Sequence, residues 1–271
     1  MSGPQVSQLA FENVSFAFAE TPVLRNLSFG LNSGETLIVL GAAGSGKTVL
    51  LKTALGLLRP TAGRVILFGS DVTADTEKEW FEVRSRIGVL FQEGGLFDSL
   101  DVAENVAYPL RNQLSRHCPE ADILPKVEES LKFVDLGQTM DKFPSELSGG
   151  MRRRVGIARA IVTEPELMLY DSPTAGLDPI TANMIVALIT KGRDVRHATT
   201  VMVTHRFQDG QILAGFRYDP ATGGIVPVHD SGSDPRTRFL VLREGEMVLL
   251  GTQDELEAST DPYVAKFIPH S

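Results

Sequence analysis

The octapeptide GAAGSGKT, Gly41 to Thr48, constrains what this chain can fold into more than any other stretch. It fits the pattern G-x-x-x-x-G-K-[ST], and its surroundings are the ones that pattern requires. Before it stands TLIVL, a short unbroken apolar run of the kind buried on both faces of a parallel sheet. After it, VLLKTALGLL carries a helical pattern, with Arg59-Pro60 and Gly63 expected to end the helix. A strand, a glycine-rich loop and a helix in that order let successive backbone N–H groups of Gly41, Ala42, Ala43, Gly44, Ser45, Gly46, Lys47, Thr48 and Val49 curl around an anion. The helix N-terminus adds partial positive charge. Lys47 is placed to reach the β- and γ-phosphates of a nucleotide, and the Thr48 hydroxyl to hold Mg²⁺.

The rest of the chain supplies a sheet for that loop. In VLRNLSFGL, Val23, Leu27, Phe29 and Leu31 are expected to share one face of a strand paired with LAFENVSF. Three further apolar runs read as strands that each meet a polar residue: IGVLF before Gln92, LMLY before Asp171, and TTVMVT before His205. Between the first two lies a mostly helical region, in which Leu124, Val127, Leu131 and Val134 are expected to share a face. Strands separated by helices indicate an α/β sheet with a helical insertion. Ligands of such sheets bind beyond the carboxyl ends of the strands, where Gln92, Asp171 and His205 would gather. FLVLREGEMVLLG reads as a hairpin turning at Glu244-Gly245, and GFRYDPATGGIVPV as a small hairpin of its own.

A chain of 271 residues, 42% hydrophobic and 22% charged, has room for one large globular domain. The reading divides it into a core of 1–92 and 163–250 carrying a β-subdomain, a helical subdomain of 93–162, an irregular insertion of 206–238 and a C-terminal helix and tail of 251–271. A net charge of −8 argues against nucleic acid as a partner. The basic run Arg152-Arg153-Arg154 is expected to be a solvated helix face. One cysteine, Cys118, excludes an internal disulfide. No apolar run reaches the roughly 18 to 20 residues that span a bilayer, and the N-terminus lacks a signal-peptide pattern, so a soluble cytoplasmic location is expected.

LSGGM, Leu147 to Met151, opens a helix with free N–H groups and a hydroxyl aimed outward. Val155, Ala158, Ile161 and Val162 then form its apolar stripe. With GAAGSGKT, Gln92, LSGGM, Asp171, AGLD (Ala175 to Asp178) and His205 in this order, the chain resembles the nucleotide-binding subunit of ATP-binding cassette (ABC) transporters over essentially its whole length. That resemblance implies a RecA-like P-loop α/β core with an antiparallel β-subdomain and an inserted helical subdomain, working as a head-to-tail dimer. Each Mg-ATP would lie between GAAGSGKT of one copy and Ser148, Gly149 and Gly150 of the other. Thr48, Gln92 and Asp171 would hold Mg²⁺, and Gln92 would also sense the attacking water and link the site to an integral membrane permease. Asp178 would join the two sites, His205 would contact the γ-phosphate, and Phe18 would stack on adenine, with Phe16 its rival. FQEGGLFDSLDVAENVAYPLR and PSELSGGMRRRVGIARAI look like the Mla/Mce branch, which implies lipid as cargo, the inner face of the cell membrane as location, and a periplasmic Mce-type protein in the complex. Amino-acid importers share much of the pattern.

Two departures stand out. Where the family usually has a catalytic Glu, this chain has Ser172, whose hydroxyl is not ionised near neutral pH. A missing general base typically costs about 10²–10⁴ in rate, so binding with slow hydrolysis is the expectation, and an ATP-responsive regulatory clamp is the rival reading. Glu93 and His205 are the residues that could substitute as a base. After His205, relatives usually have an acidic residue and a regular helix, whereas RFQDGQILAGF and a turn-rich segment follow here.

Overall fold

The computed structural model describes residues 7–92, 94–112, 118–228 and 233–268. Its centre is a six-stranded sheet in the order β12-β11-β3-β8-β7-β6. These strands are β3 (Thr36–Leu40), β6 (Ile87–Leu90), β7 (Leu167–Asp171), β8 (Thr199–Thr204), β11 (Thr237–Arg243) and β12 (Glu246–Gly251). All neighbours run parallel except β12, which closes an antiparallel hairpin on β11 at the expected Glu244-Gly245 turn. Every residue of β3, β7 and β8 is buried. Alternate side chains therefore feed two different cores. Ile38, Leu40, Met168, Tyr170 and Met202 face one, while Leu37, Val39, Leu169, Val201 and Val203 face the other. Each such side chain, fully buried, contributes about 1.5–3 kcal/mol.

The second core is roofed by an antiparallel sheet, β2-β1-β4-β5, and by helix α1. Its strands are β1 (Ser7–Phe18), β2 (Thr21–Asn32), β4 (Ala62–Leu67) and β5 (Ser70–Asp71); α1 is Lys47–Ala54, and α2 (Glu77–Arg84) inserts the buried Trp80. The first core takes α3 (Val102–Asn112), α4 (Glu120–Phe133), α5 (Gly149–Ile161), α6 (Pro179–Arg196) and α7 (Phe207–Gly215). Val155, Ala158, Ile161 and Val162 are all buried, as their spacing predicts. A two-stranded hairpin of β9 (Phe216–Asp219) and β10 (Gly224–Pro227) lies where it was expected, and α8 (Gln253–Glu257) begins the C-terminal segment.

Several expectations are corrected. Leu24, not Val23, joins the core with Leu27, Phe29 and Leu31. Phe16 pairs with Leu24 and Val14 with Leu27, so Arg25 and Asn26 of β2 stand against the single Ser15 of β1, with Asn26 at φ 49; this bulge reverses the alternation. Helix α1 stops at Ala54, well before Pro60, because Gly56 adopts φ 65 and a Cβ there would meet the Trp80 ring at 2.2 Å. Of the expected helical face, Val127, Leu131 and Val134 are buried, but Leu124 is exposed and Ile123 takes its place. The segment 206–238, expected to be irregular, holds helix α7 and the small hairpin. The arginine run is no solvated face: Arg153 is 4% exposed, and neither Arg152 nor Arg154 is fully exposed.

Candidate functional site

Register along the sheet assembles the site. Leu40 pairs with Thr204, Val203 with Asp171, and Tyr170 with Leu90. The carboxyl ends of four adjacent strands thus fall on one edge, and the next residues of each strand emerge there: the glycine loop, Gln92, Ser172 and His205. Between them is a cleft of about 610 Å³ lined by Val23, Gly44, Lys47, Thr48, Gln92, Ser172 and His205, among others.

The loop has the backbone its glycines permit. Gly44 and Gly46 adopt φ 78 and 106, the latter immediately before α1. A side chain at Gly41 would collide with Ser45 Oγ and the Leu242 carbonyl at 2.4 and 2.6 Å. Lys47 is half-buried, and its Nζ donates to the carbonyls of Gly41 (2.7 Å) and Ala42 (2.8 Å). Burial pushes its pKa below the ordinary lysine value, with the Asp171 carboxylate opposing the fall. An ammonium held against two carbonyls beside the exposed Thr48 could receive phosphate oxygens through charge-assisted hydrogen bonds.

Asp171 ends β7 and is 7% exposed. The Ser172 hydroxyl donates to its Oδ1 at 3.1 Å. Ser172 itself has φ 47, a left-handed conformation costing a non-glycine residue about 1–2 kcal/mol. Two hydrogen bonds hold it there: its N–H donates to the Val203 carbonyl (2.9 Å), and its carbonyl accepts from Arg153 Nη1 (3.1 Å). Arg153 also donates to the carbonyls of Pro173 (3.0 Å) and Ala175 (2.9 Å). One buried guanidinium therefore ties helix α5 to the loop that follows β7. The other side of that loop is fixed by Asp209, fully buried on α7, whose Oδ2 accepts from the hydroxyls of Thr174 (2.5 Å) and Thr204 (2.8 Å). Arg206 approaches the other oxygen of Asp209 at 3.6 Å. His205 lies between Thr204 and Arg206, exposed and lining the cleft.

Ser148 caps α5, its Oγ accepting from the Met151 N–H at 3.2 Å. Ser148 is exposed and Gly149 partly so, away from the cleft lined by Lys47. Gly150 also answers to packing, since a Cβ there would meet Thr181 Cγ2 at 2.5 Å. A second depression, lined by Gln92, Gly149, Arg152, Arg153, Ala175 and Gly176, joins this helix start to Gln92. Asp178 caps α6, accepting from the N–H groups of Ile180 (3.1 Å) and Thr181 (3.0 Å). Phe18 is 54% exposed at the end of β1, edge-on to the buried Phe16 at 4.8 Å, and Val23 of the same hairpin lines the cleft. Glu93 lies outside the described residues.

Among the described residues no cluster of three His, Cys, Asp or Glu could cage a metal ion. That suits Mg²⁺, which is commonly bound through one or two carboxylates, water and substrate phosphate. Asp171, Thr48 and Gln92 are a fitting donor set. The sequence placed the loop and Asp171 at the sheet edge and Ser148 at a helix start, but the Ser148 hydroxyl, expected to aim outward, instead caps the helix at Met151, and Arg153 and Asp209 were missed. Arg153 stands in the middle of a run of three arginines, so no local signal set it apart from its neighbours.

The sequence model of the family described as "ABC transporter" matches residues 24–175. The chain is 32% identical to the "Probable ribonucleotide transport ATP-binding protein mkl" of Mycobacterium leprae, over 98% of this chain and 70% of the relative. It is 32% identical to the "Intermembrane phospholipid transport system ATP-binding protein MlaF" of Haemophilus influenzae, over 95% and 88%. To the "Methionine import ATP-binding protein MetN" of Corynebacterium jeikeium it is 34% identical, over 88% and 66%. A solved structure, the "Dimeric structure of a post-hydrolysis state of the ATP-binding cassette MJ0796 bound to ADP and Pi", matches 90% of this chain and 98% of its own with a TM-score of 0.73 at 27% identity. The chain belongs to the ABC transporter ATP-binding family and has its P-loop cassette fold. Cassettes of this family bind ATP, generally hydrolyse it, dimerise and pair with membrane permease subunits. No helix among the described residues is long and apolar enough to cross a membrane.

Proposed function

We propose that this chain is the energy-coupling subunit of a lipid transporter of the Mla/Mce type, binding Mg-ATP between two cassettes and hydrolysing it slowly. The observation that carries the reading is the cleft in which Lys47, Thr48, Gln92, Ser172 and His205 converge on one sheet edge. The N–H groups of residues 43–49 and the Lys47 ammonium would bind the triphosphate; of the expected run 41–49, the Ala42 N–H already donates to Tyr263 Oη, so Gly41 and Ala42 are left out. Phe18 would stack on the base. Thr48, Asp171 and Gln92 would hold Mg²⁺, which when bound supplies charge neutralisation on the phosphate oxygens. The exposed start of α5, with Ser148, Gly149 and Gly150, would complete the site on a second cassette, either another copy or a paralogue. His205 would orient toward the γ-phosphate. Asp178, now satisfied as a helix cap, would lie at the junction between the two sites.

Slow turnover follows from Ser172. Its hydroxyl donates to Asp171 and so offers neither charge nor basicity to an attacking water. That same fact favours a second reading, an ATP-responsive regulatory clamp with little or no hydrolysis.

For the permease, the groove between β6 and the helical subdomain is the fitting surface. It is lined by Ile87, Val89, Phe91, Phe97, Tyr108 and Arg159, and the three aromatics are each 40–41% exposed. Half-exposed aromatics beside an arginine suit a partner helix. The protein would then be held on the inner face of the cell membrane through its partner, with a periplasmic Mce-type protein further along the complex. Lipid cargo is supported by the likeness to a relative named for phospholipid transport, and amino-acid import, by the relative named for methionine, is the alternative cargo class.

The test is an equilibrium titration of the protein with Mg-ATP, repeated after removal of magnesium. The proposal expects saturable uptake that magnesium strengthens. No uptake in either condition would refute it. Cargo is tested separately, by whether the purified complex carries phospholipid.

A further inference from the structure

The C-terminal segment reaches back to the phosphate loop, and nothing in the proposed chemistry uses it. Tyr263 Oη accepts a hydrogen bond from the Ala42 N–H at 3.0 Å and donates to the Leu242 carbonyl at 3.1 Å. The peptide unit joining Gly41 to Ala42 is consequently held at both ends. Its N–H is bound by Tyr263, and its carbonyl, that of Gly41, accepts from Lys47 Nζ at 2.7 Å. Rotation of this one peptide would move the carbonyl that positions the Lys47 ammonium.

The tyrosine ring is itself fixed on several sides. Asp261 Oδ1 accepts from the Tyr263 N–H at 2.7 Å and from the Val264 N–H at 3.3 Å, which sets the turn. Arg243 pairs with Asp261 at 3.8 Å and lays its guanidinium 5.6 Å from the ring centre. Phe267 meets the ring edge-on at 5.3 Å, while Val264 is fully buried and anchors the segment. A segment that merely packed against the body would bury Val264 and Phe267 without spending both hydrogen-bonding capacities of a phenol on the loop and on the strand end beside it.

We propose that Tyr263 is a positioning residue for the phosphate loop, and that through it residues 261–267 set the affinity of the site for nucleotide. This rests on the reading of the cleft as an ATP site. Because it acts from the C-terminal segment, anything that lifts that segment would loosen the grip on nucleotide without touching a residue of the cleft.

Tyr263→Phe tests this, since it keeps the ring and its packing and removes only the hydroxyl. Ala42 is exposed, so water can serve its N–H in the variant and the fold is expected to hold. Two measurements on the full chain decide the matter. In nucleotide-free protein, deuterium exchange of the backbone amides of 41–44 should be faster in the variant, while the sheet amides stay unchanged. In an equilibrium titration, affinity for Mg-ATP should fall by about three- to tenfold, the worth of one ordinary hydrogen bond. Asp261→Asn, which weakens the turn but leaves the hydroxyl, should move both readouts in the same direction by less. Unchanged exchange in Tyr263→Phe overturns the tether. Faster exchange with unaltered affinity overturns its role in binding. Faster exchange in a protein whose wild type takes up no nucleotide overturns the ATP reading and leaves the tether standing.

Discussion

The loop of Gly41 to Thr48 and the loop after Asp171 occupy the same sheet edge, but they are built on different physics. The first is made mostly of backbone. Its capacity to hold an anion lies in N–H groups, a helix start and one lysine, all supplied by a local run of residues. The second depends on single side chains carried by distant elements: Asp171 on β7, His205 after β8, Arg153 on α5 and Asp209 on α7. Lys47 apart, a single change of side chain leaves the first almost intact, whereas one such change can empty the second of its chemistry. On the reading proposed for the cleft, Ser172 is such a change. Its backbone is held in the strained conformation by Val203 and Arg153, so the position is prepared, but the side chain that fills it has no base to offer.

If this contrast is right, the largest effect belongs to Ser172→Glu. Turnover of ATP should rise by about 10²–10⁴, measured as steady-state phosphate release, with affinity much less altered. Next comes Lys47→Ala, which should weaken Mg-ATP binding by about 2–4 kcal/mol in an equilibrium titration, since it removes the charged partner of the phosphates. An effect within experimental error would mean that the loop grips nothing. Asp209→Ala should be smaller and structural. It leaves the buried hydroxyls of Thr174 and Thr204 without their acceptor and should lower unfolding stability by about 1–3 kcal/mol in denaturant melts. The smallest effect concerns pH. Burial lowers the Lys47 pKa in the free protein, and the protonated form binds phosphate. Affinity should hold at neutral pH and begin to decline, as pH rises, earlier than an ordinary lysine would allow. A decline starting only above the ordinary value of 10.5 would contradict the burial argument.

The same contrast explains what could be read from the amino-acid order. Gly41 to Thr48 was legible because motif, strand and helix are contiguous, and the four strand ends because apolar runs stop at polar residues. Leu24 was missed because a bulge at Asn26 reverses the alternation, and nothing local in VLRNLSFGL announces it. The end of α1 was misplaced because Gly56 serves Trp80, a residue on another helix. Arg153, Asp209 and Tyr263 act across long stretches of chain, on carbonyls, hydroxyls and one amide whose positions only the fold decides. The arginine run looked solvated for the same reason: its carbonyl partners at Ser172, Pro173 and Ala175 are remote in sequence. Residues 206–238 looked irregular, yet Asp209 and Leu213 bury one side of a helix there.

A single-turnover experiment reaches the central claim most directly. Protein in excess over ATP, with magnesium, is mixed, quenched at intervals and resolved into ATP and ADP. The account predicts that the nucleotide is bound yet persists as ATP, converting at no more than about 0.1 s⁻¹, some hundredfold below an ordinary enzyme turnover of about 10 s⁻¹. Rapid conversion at the ordinary rate would show that another group does the work of the missing carboxylate.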